Sequence, residues 1–185
     1  FNESTIYIEL QKNGIKCNMN NLMAIVRSSF TPHFNPLEEY FTGLKKYKST
    51  EGSHIDKLAT YVVTTTPEQF RWAFKKWLVR CVKCALLPEY FNKQALIFVH
   101  DKQNTGKSTF CRWLCPPALS DYFAEDISDD KDSRIMLTTN FLINLDELAS
   151  LHRKEINNLK SMFSKDKINA RLPYDRKSSI LNRTC

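Results

Sequence analysis

The segment Ala95–Thr109, Ala-Leu-Ile-Phe-Val-His-Asp-Lys-Gln-Asn-Thr-Gly-Lys-Ser-Thr, constrains this chain more than any other. Ala95 to Val99 are consecutive apolar residues and predict a short buried strand. A polar turn follows. Gly106-Lys107-Ser108-Thr109 then opens a predicted helix, with Phe110 and Leu114 four apart on one face. Strand, turn, Gly-Lys-Ser and helix make the layout of a phosphate-binding loop. Unpaired N–H groups at such a loop and helix start point toward an anion, and the helix dipole favours negative charge there. Gln103, Asn104, Thr105, Gly106, Lys107, Ser108 and Thr109 are the candidate nucleotide-binding residues. Gly106 allows close backbone approach, Lys107 reaches the β/γ-phosphates, and the Ser108 hydroxyl is a candidate Mg²⁺ ligand. In the pattern G-x-x-x-x-G-K-[ST] the first Gly position is held by Asp101. Asp tolerates turns, but its carboxylate has to face away from the phosphates.

A second constellation stands 39 residues beyond Lys107. Asn140-Phe141-Leu142-Ile143-Asn144-Leu145-Asp146-Glu147 is an apolar run ending in two carboxylates, the form of a Walker B element. The intervening length accommodates the helix, strand and helix of an α/β core. Asp146 is the candidate Mg²⁺ ligand. Glu147 is the candidate base that orients or deprotonates the attacking water, with Lys107 as its catalytic companion. ATP and Mg²⁺ are thus the expected cofactors.

The 185 residues, 42% of them hydrophobic, suffice for one compact core with a helical preface. We expect an N-terminal helical segment over 1–92 and the phosphate-loop core over 93–185. No apolar run approaches the ~20 residues that span a bilayer, and Glu3 and Glu9 interrupt any leader-like opening. The start without Met and the end at Cys185 give the expectation of an excised fragment. Six cysteines lack a secreted-framework spacing. Cys81-Val82-Lys83-Cys84 falls inside a helical pattern without nearby His, so reduced core thiols in a cytoplasmic protein are expected rather than a metal site. Net charge is +7, and residues 151–185 hold nine Lys/Arg against three acids, hence six of those seven charges. Such a block suits a polyanion such as single-stranded or duplex DNA, although a solvated helix face has the same composition. Lys160, Lys165, Arg171 and Arg176 are its candidate phosphate contacts, to nucleic acid or to a neighbouring subunit's nucleotide.

Further helices are expected from an Asn18 or Asn20 cap through Phe30, from Pro36 to near Gly43, from Ser53, from Pro67 to Leu86 with Thr66 as cap, after Asp129/Asp130, and over His152–Lys165. Within 67–86, Phe70, Phe74, Trp77, Leu78, Cys81 and Ala85 share a stripe. At this spacing they predict core rather than a base-stacking platform. Ile168–Arg171 reads as a strand leading to a basic, aromatic turn.

From about Phe34 onward the chain resembles the virulence-associated E family, P-loop ATPase domains of phage and mobile-element replication proteins. These are similar to superfamily-3 helicases, are AAA+-like, and are often fused to primases. The resemblance rests on Pro36-Leu37-Glu38-Glu39-Tyr40-Phe41, His54-Ile55-Asp56-Lys57-Leu58, Phe74–Val79, Gln103–Phe110, Lys131-Asp132-Ser133, Leu145–Leu148, Leu159-Lys160-Ser161 with Ser164, and Arg171–Tyr174 with Arg176. It implies ATP and Mg²⁺ at Lys107, Ser108, Asp146 and Glu147, ring assembly with sites between subunits, and a fused or associated primase. It also implies an α/β P-loop NTPase core that stops here before the next core strand, where a polar sensor and an arginine finger are usual. The expected activity is a Mg-dependent ATPase driving a DNA replication helicase. The alternatives are a small-molecule or nucleotide kinase and a non-catalytic DNA-binding module with a relict loop.

Overall fold

The computed structural model describes residues 2–32, 34–48, 50, 52–127, 130–146, 152–172 and 177–185, with nothing stated of the Lys154 side chain. The chain divides into two compact units, Phe1–Asn35 and Pro36–Cys185. That division does not coincide with the 92/93 boundary drawn from the sequence.

The first unit holds α1 (Glu3–Lys12) and α2 (Met19–Val26). Asn2 and Asn18 cap them by accepting from the N–H groups of Thr5 and Asn21. The second helix ends four residues short of Phe30, which is 92% exposed, and only Leu22 of that helix is buried.

The second unit begins with α3 (Pro36–Gly43), α4 (His54–Ala59) and α5 (Pro67–Leu86). Pro67 sits in the first turn of α5, where its missing N–H costs nothing. Thr66 occupies the cap position, but its hydroxyl makes no cap bond. The apolar stripe of α5 faces inward: Phe74, Cys81, Cys84 and Ala85 are buried, and Phe74 is 0% exposed. This helix is the wall on which the loop helix α6 (Lys107–Leu114) rests. Phe110 of α6 lies 6.2 Å from Phe74 and 5.7 Å from Phe98, ring centre to ring centre, and Phe70 stacks on Phe74 at 5.4 Å. Aromatic pairs at such distances, stacked or edge-to-face, add about 0.5–1.5 kcal/mol each beyond burial.

A 3-10 turn over Pro117–Tyr122 leads into β1 (Phe123–Glu125), followed by α7 (Lys131–Thr139) and β2 (Leu142–Asn144). The two strands pair in parallel, Phe123 with Leu142 through Glu125 with Asn144. Parallel neighbours need a crossover, and α7 supplies it. Asp130 caps α7, accepting from Ser133 N–H at 2.7 Å; Asp129 lies outside the described residues. Next come α8 (Arg153–Phe163), β3 (Lys167–Ala170) and β4 (Ser179–Asn182), the strands an antiparallel pair.

Leu37, Cys81, Ala85, Leu119, Phe141 and Leu142 form one core, and Leu137, Met162, Ile168 and Ala170 a second. Cys81 and Cys84 are thus free core thiols, and burial pushes the Cys81 thiol up to about 12.

Ala95–Val99 is not a strand: it is irregular, with Ile97 65% and Val99 89% exposed. Apolar side chains favour burial, but a strand also needs a neighbour for its backbone hydrogen bonds. Among the described residues β2 pairs only with β1. An apolar cleft of about 390 Å³ is lined by Leu96 and Ile97 and by Leu142 and Ile143 of β2.

Candidate functional site

The site forms where the start of α6 meets the end of β2. Gly106 takes φ +82° as it enters the helix, a left-handed conformation that costs glycine little, and Asn104 takes φ +56°. These two reversals turn the Gln103–Thr105 stretch into the loop. A methyl group on Gly106 would meet nothing within 4 Å, so the space in front of this backbone is open. Lys107 folds back over the loop: its Nζ donates to the Lys102 carbonyl at 3.4 Å and to Thr105 Oγ1 at 3.3 Å. Both bonds are long, and an anion bonding to that ammonium would compete with them on favourable terms. Thr109 is exposed on the first turn of the helix.

Asp101 does not obstruct the loop. Its side chain is 90% exposed, and its Oδ1 lies 3.0 Å from His100 Nδ1. That nitrogen accepts from the Lys102 N–H at 2.9 Å, which fixes the turn entering the loop.

Across the site, the Ser108 hydroxyl donates to Asp146 Oδ2 at 2.6 Å. Two residues far apart in sequence, one from the loop helix and one from the end of the strand run, are thus brought into contact. The Asp146 N–H is 3.4 Å from Asp126 Oδ1, so the end of β1 braces the turn carrying the carboxylate. Adjacent oxygens around an octahedral Mg²⁺ at ~2.1 Å stand about 3.0 Å apart. The Ser108–Asp146 pair would need to open by only a few tenths of an ångström to share such an ion. Among the described residues no group of three or more His, Cys, Asp or Glu could hold a metal. One hydroxyl and one carboxylate suit Mg²⁺, which commonly keeps few protein ligands and completes its shell with phosphate and water. Glu147 lies outside the described residues.

A polar brace beside this pair was not legible in the sequence. Arg112, on α6, grips Glu125 with two bonds of 2.8 and 3.1 Å, and the Asn144 amide donates to Glu125 at 3.3 Å. The Arg112 guanidinium holds the Glu125 carboxyl below its usual range. This brace ties α6 to the ends of both parallel strands. Each residue is ordinary by itself, and no spacing in the sequence joins the three.

The basic residues separate. Ile156, Leu159, Lys160 and Phe163 of α8 line the apolar cleft, whereas Asn158, Ser161, Met162 and Lys165 line a different, basic cavity. Ile156, Leu159, Lys160 and Phe163 share one face of α8 and Asn158, Ser161 and Met162 the other, with Lys165 following in the turn after the helix. Lys160 and Lys165 therefore do not act on one surface. Arg171 is exposed just past β3, and Arg176 lies outside the described residues. No helix among the described residues is long and apolar enough to cross a membrane.

No curated protein and no solved structure matches this chain. A family model, the virulence-associated protein E-like domain, matches residues 44–185. That span takes in the loop, the brace, the Ser108–Asp146 pair and both faces of α8, and the chain belongs to the virulence-associated protein E-like family.

Proposed function

We propose that this chain carries the nucleotide site of a P-loop α/β ATPase core of superfamily-3-helicase type. It would serve DNA replication of a phage or mobile element and couple ATP hydrolysis to movement along DNA. The observation that carries this reading is the 2.6 Å contact between Ser108 of the loop helix and Asp146 at the end of β2. The left-handed Gly106 and the open space before it support the same reading.

In this account the loop N–H groups and Lys107 hold the triphosphate. Ser108 and Asp146 would hold Mg²⁺, which would supply charge neutralisation to the transferring phosphoryl group. Glu147, next in sequence to Asp146, accepts a proton from the water that attacks the γ-phosphorus, while the bond to the ADP oxygen breaks. Lys107 balances the charge gathering on that leaving oxygen. Most of the rate gain comes from fixed charges and donors, because the phosphoryl group needs little covalent help. Ring assembly, with a primase as fused or separate partner, completes the proposal.

The test is calorimetric titration with Mg-ATP, followed by phosphate release with and without oligo-dT. Wild type should bind, Lys107→Ala should lose affinity at least 100-fold, and Glu147→Gln should bind without turnover. No Mg-dependent nucleotide binding refutes the reading. A kinase would instead need a second phosphate acceptor and ignore single-stranded DNA.

A further inference from the structure

The second face of α8 closes a cavity of about 310 Å³ that the nucleotide site does not use. Arg134 enters it from α7, Lys165 from the turn after α8, and Lys167 from the first position of β3. Asn158, Ser161 and Asn169 add polar groups, and the buried Met162 and Ile168 belong to its wall. Three cations thus line one concavity, and none of the other described lining residues is a carboxylate. Asp166, between the two lysines in sequence, is exposed and is not part of the lining. Lys165 and Lys167 have no ion-pair partner among the described residues.

Like charges gathered in a concavity raise the local potential and attract an anion. The residue types narrow the anion. Lysine and arginine with amide and hydroxyl donors suit phosphate oxygens. Among the described residues that line the cavity none is aromatic, so none of them can hold a nucleobase by stacking, as a mononucleotide site would. A duplex resists local bending, whereas a flexible single strand can turn one phosphate into a hollow at little cost. We propose that the Arg134–Lys165–Lys167 cavity is a sequence-independent phosphodiester site for single-stranded nucleic acid, distinct from the Lys107 loop. The proposal deepens the replication reading above and rests on it for its biological sense. Its geometry is independent of nucleotide binding.

The experiment measures anisotropy of labelled oligo-dT across a salt series, with Mg-ATP calorimetry on the same samples. Lys165 and Lys167 are exposed, so Lys165→Glu/Lys167→Glu should fold, as circular dichroism will verify. The charge-matched control is Lys48→Glu/Lys57→Glu, on exposed positions of the same unit. We expect at least a tenfold loss of oligo-dT affinity in the cavity variant near 0.1 M salt. The salt slope should fall by about 1.4, the value for two phosphate contacts on a single strand. The control should change less than twofold, and Mg-ATP binding should be unchanged in both. Equal losses in cavity variant and control, or no loss in either, overturn the proposal. So does competition by inorganic phosphate as effective, per phosphate, as by unlabelled oligo-dT, which marks a free-phosphate site, or tighter binding of duplex. Oligo-dT binding that depends on Lys165 and Lys167 in a chain indifferent to ATP would sink the ATPase reading and leave this one standing.

Discussion

Gly106→Ala separates what the loop costs from what it does. An L-residue at φ +82° is disfavoured by about 1–2 kcal/mol relative to its preferred conformations. Part is offset, because alanine loses less unfolded-state entropy than glycine, by about 0.4–1 kcal/mol. No steric penalty adds to this, since the new methyl meets nothing within 4 Å. The net destabilisation should therefore be about 1 kcal/mol, a fall of about 2–4 °C in Tm for a unit of this size. Binding should respond very differently. The methyl enters the open space through which phosphate oxygens would approach the backbone N–H groups, so Mg-ATP affinity should fall at least 100-fold. Thermal unfolding gives the first number and calorimetric titration the second. Mg-ATP affinity within threefold of wild type would refute the phosphate-cradle argument. A loss of stability above about 3 kcal/mol would show that the loop packs against something, contrary to the open geometry.

Phe74→Ala should cost about 3–5 kcal/mol, because that ring is fully buried, while Trp72→Ala on the same helix should cost under about 1 kcal/mol. Trp72 is 63% exposed, with the Lys76 ammonium 3.7 Å above its ring, so equal losses in urea titrations would contradict the inward stripe. The Glu125 carboxyl is held below its ordinary value of 4.5 chiefly by its hydrogen bonds to Arg112, so its stabilising contribution is complete above that value. It is lost as pH falls through the lowered folded-state value, and Glu125→Gln should flatten that limb of the stability–pH curve. An unchanged curve would count against the brace. The Cys81 thiol, with burial raising it to about 12, should resist iodoacetamide at pH 8 until the chain unfolds; rapid native labelling would show that its core opens.

Several elements were legible because their causes are local. The inward stripe of α5 repeats at helical spacing, and Phe74, Cys81 and Ala85 are buried as that spacing requires. Asn18 and Asp130 cap α2 and α7 because a short polar side chain before an apolar-periodic run can satisfy the first free N–H groups. Thr66 has the same local pattern without the bond, since local sequence cannot fix a rotamer. Ala95–Val99 shows where the reasoning stops. Its apolar run is as strand-like as that of Leu142–Asn144, yet only the latter pairs, because β1 lies beside it. Strand status belongs to a pair, and one segment encodes only half of it.

What the sequence determined by itself was a set of chemical capacities: a loop able to reverse at Gly106, a cation and a hydroxyl after it, a carboxylate at a strand end, and a basic C-terminal block. What only the tertiary structure decided was which of these meet. The parallel pairing of β1 and β2 and the aromatic seat of Phe110 bring Ser108 to Asp146. The rotation of α8 sends Lys160 to an apolar cleft, and the turn after it carries Lys165 to a basic cavity. The physical reason is range. Backbone propensity and capping act over a few residues and can be read along the chain, whereas the meeting of distant side chains depends on how whole elements pack.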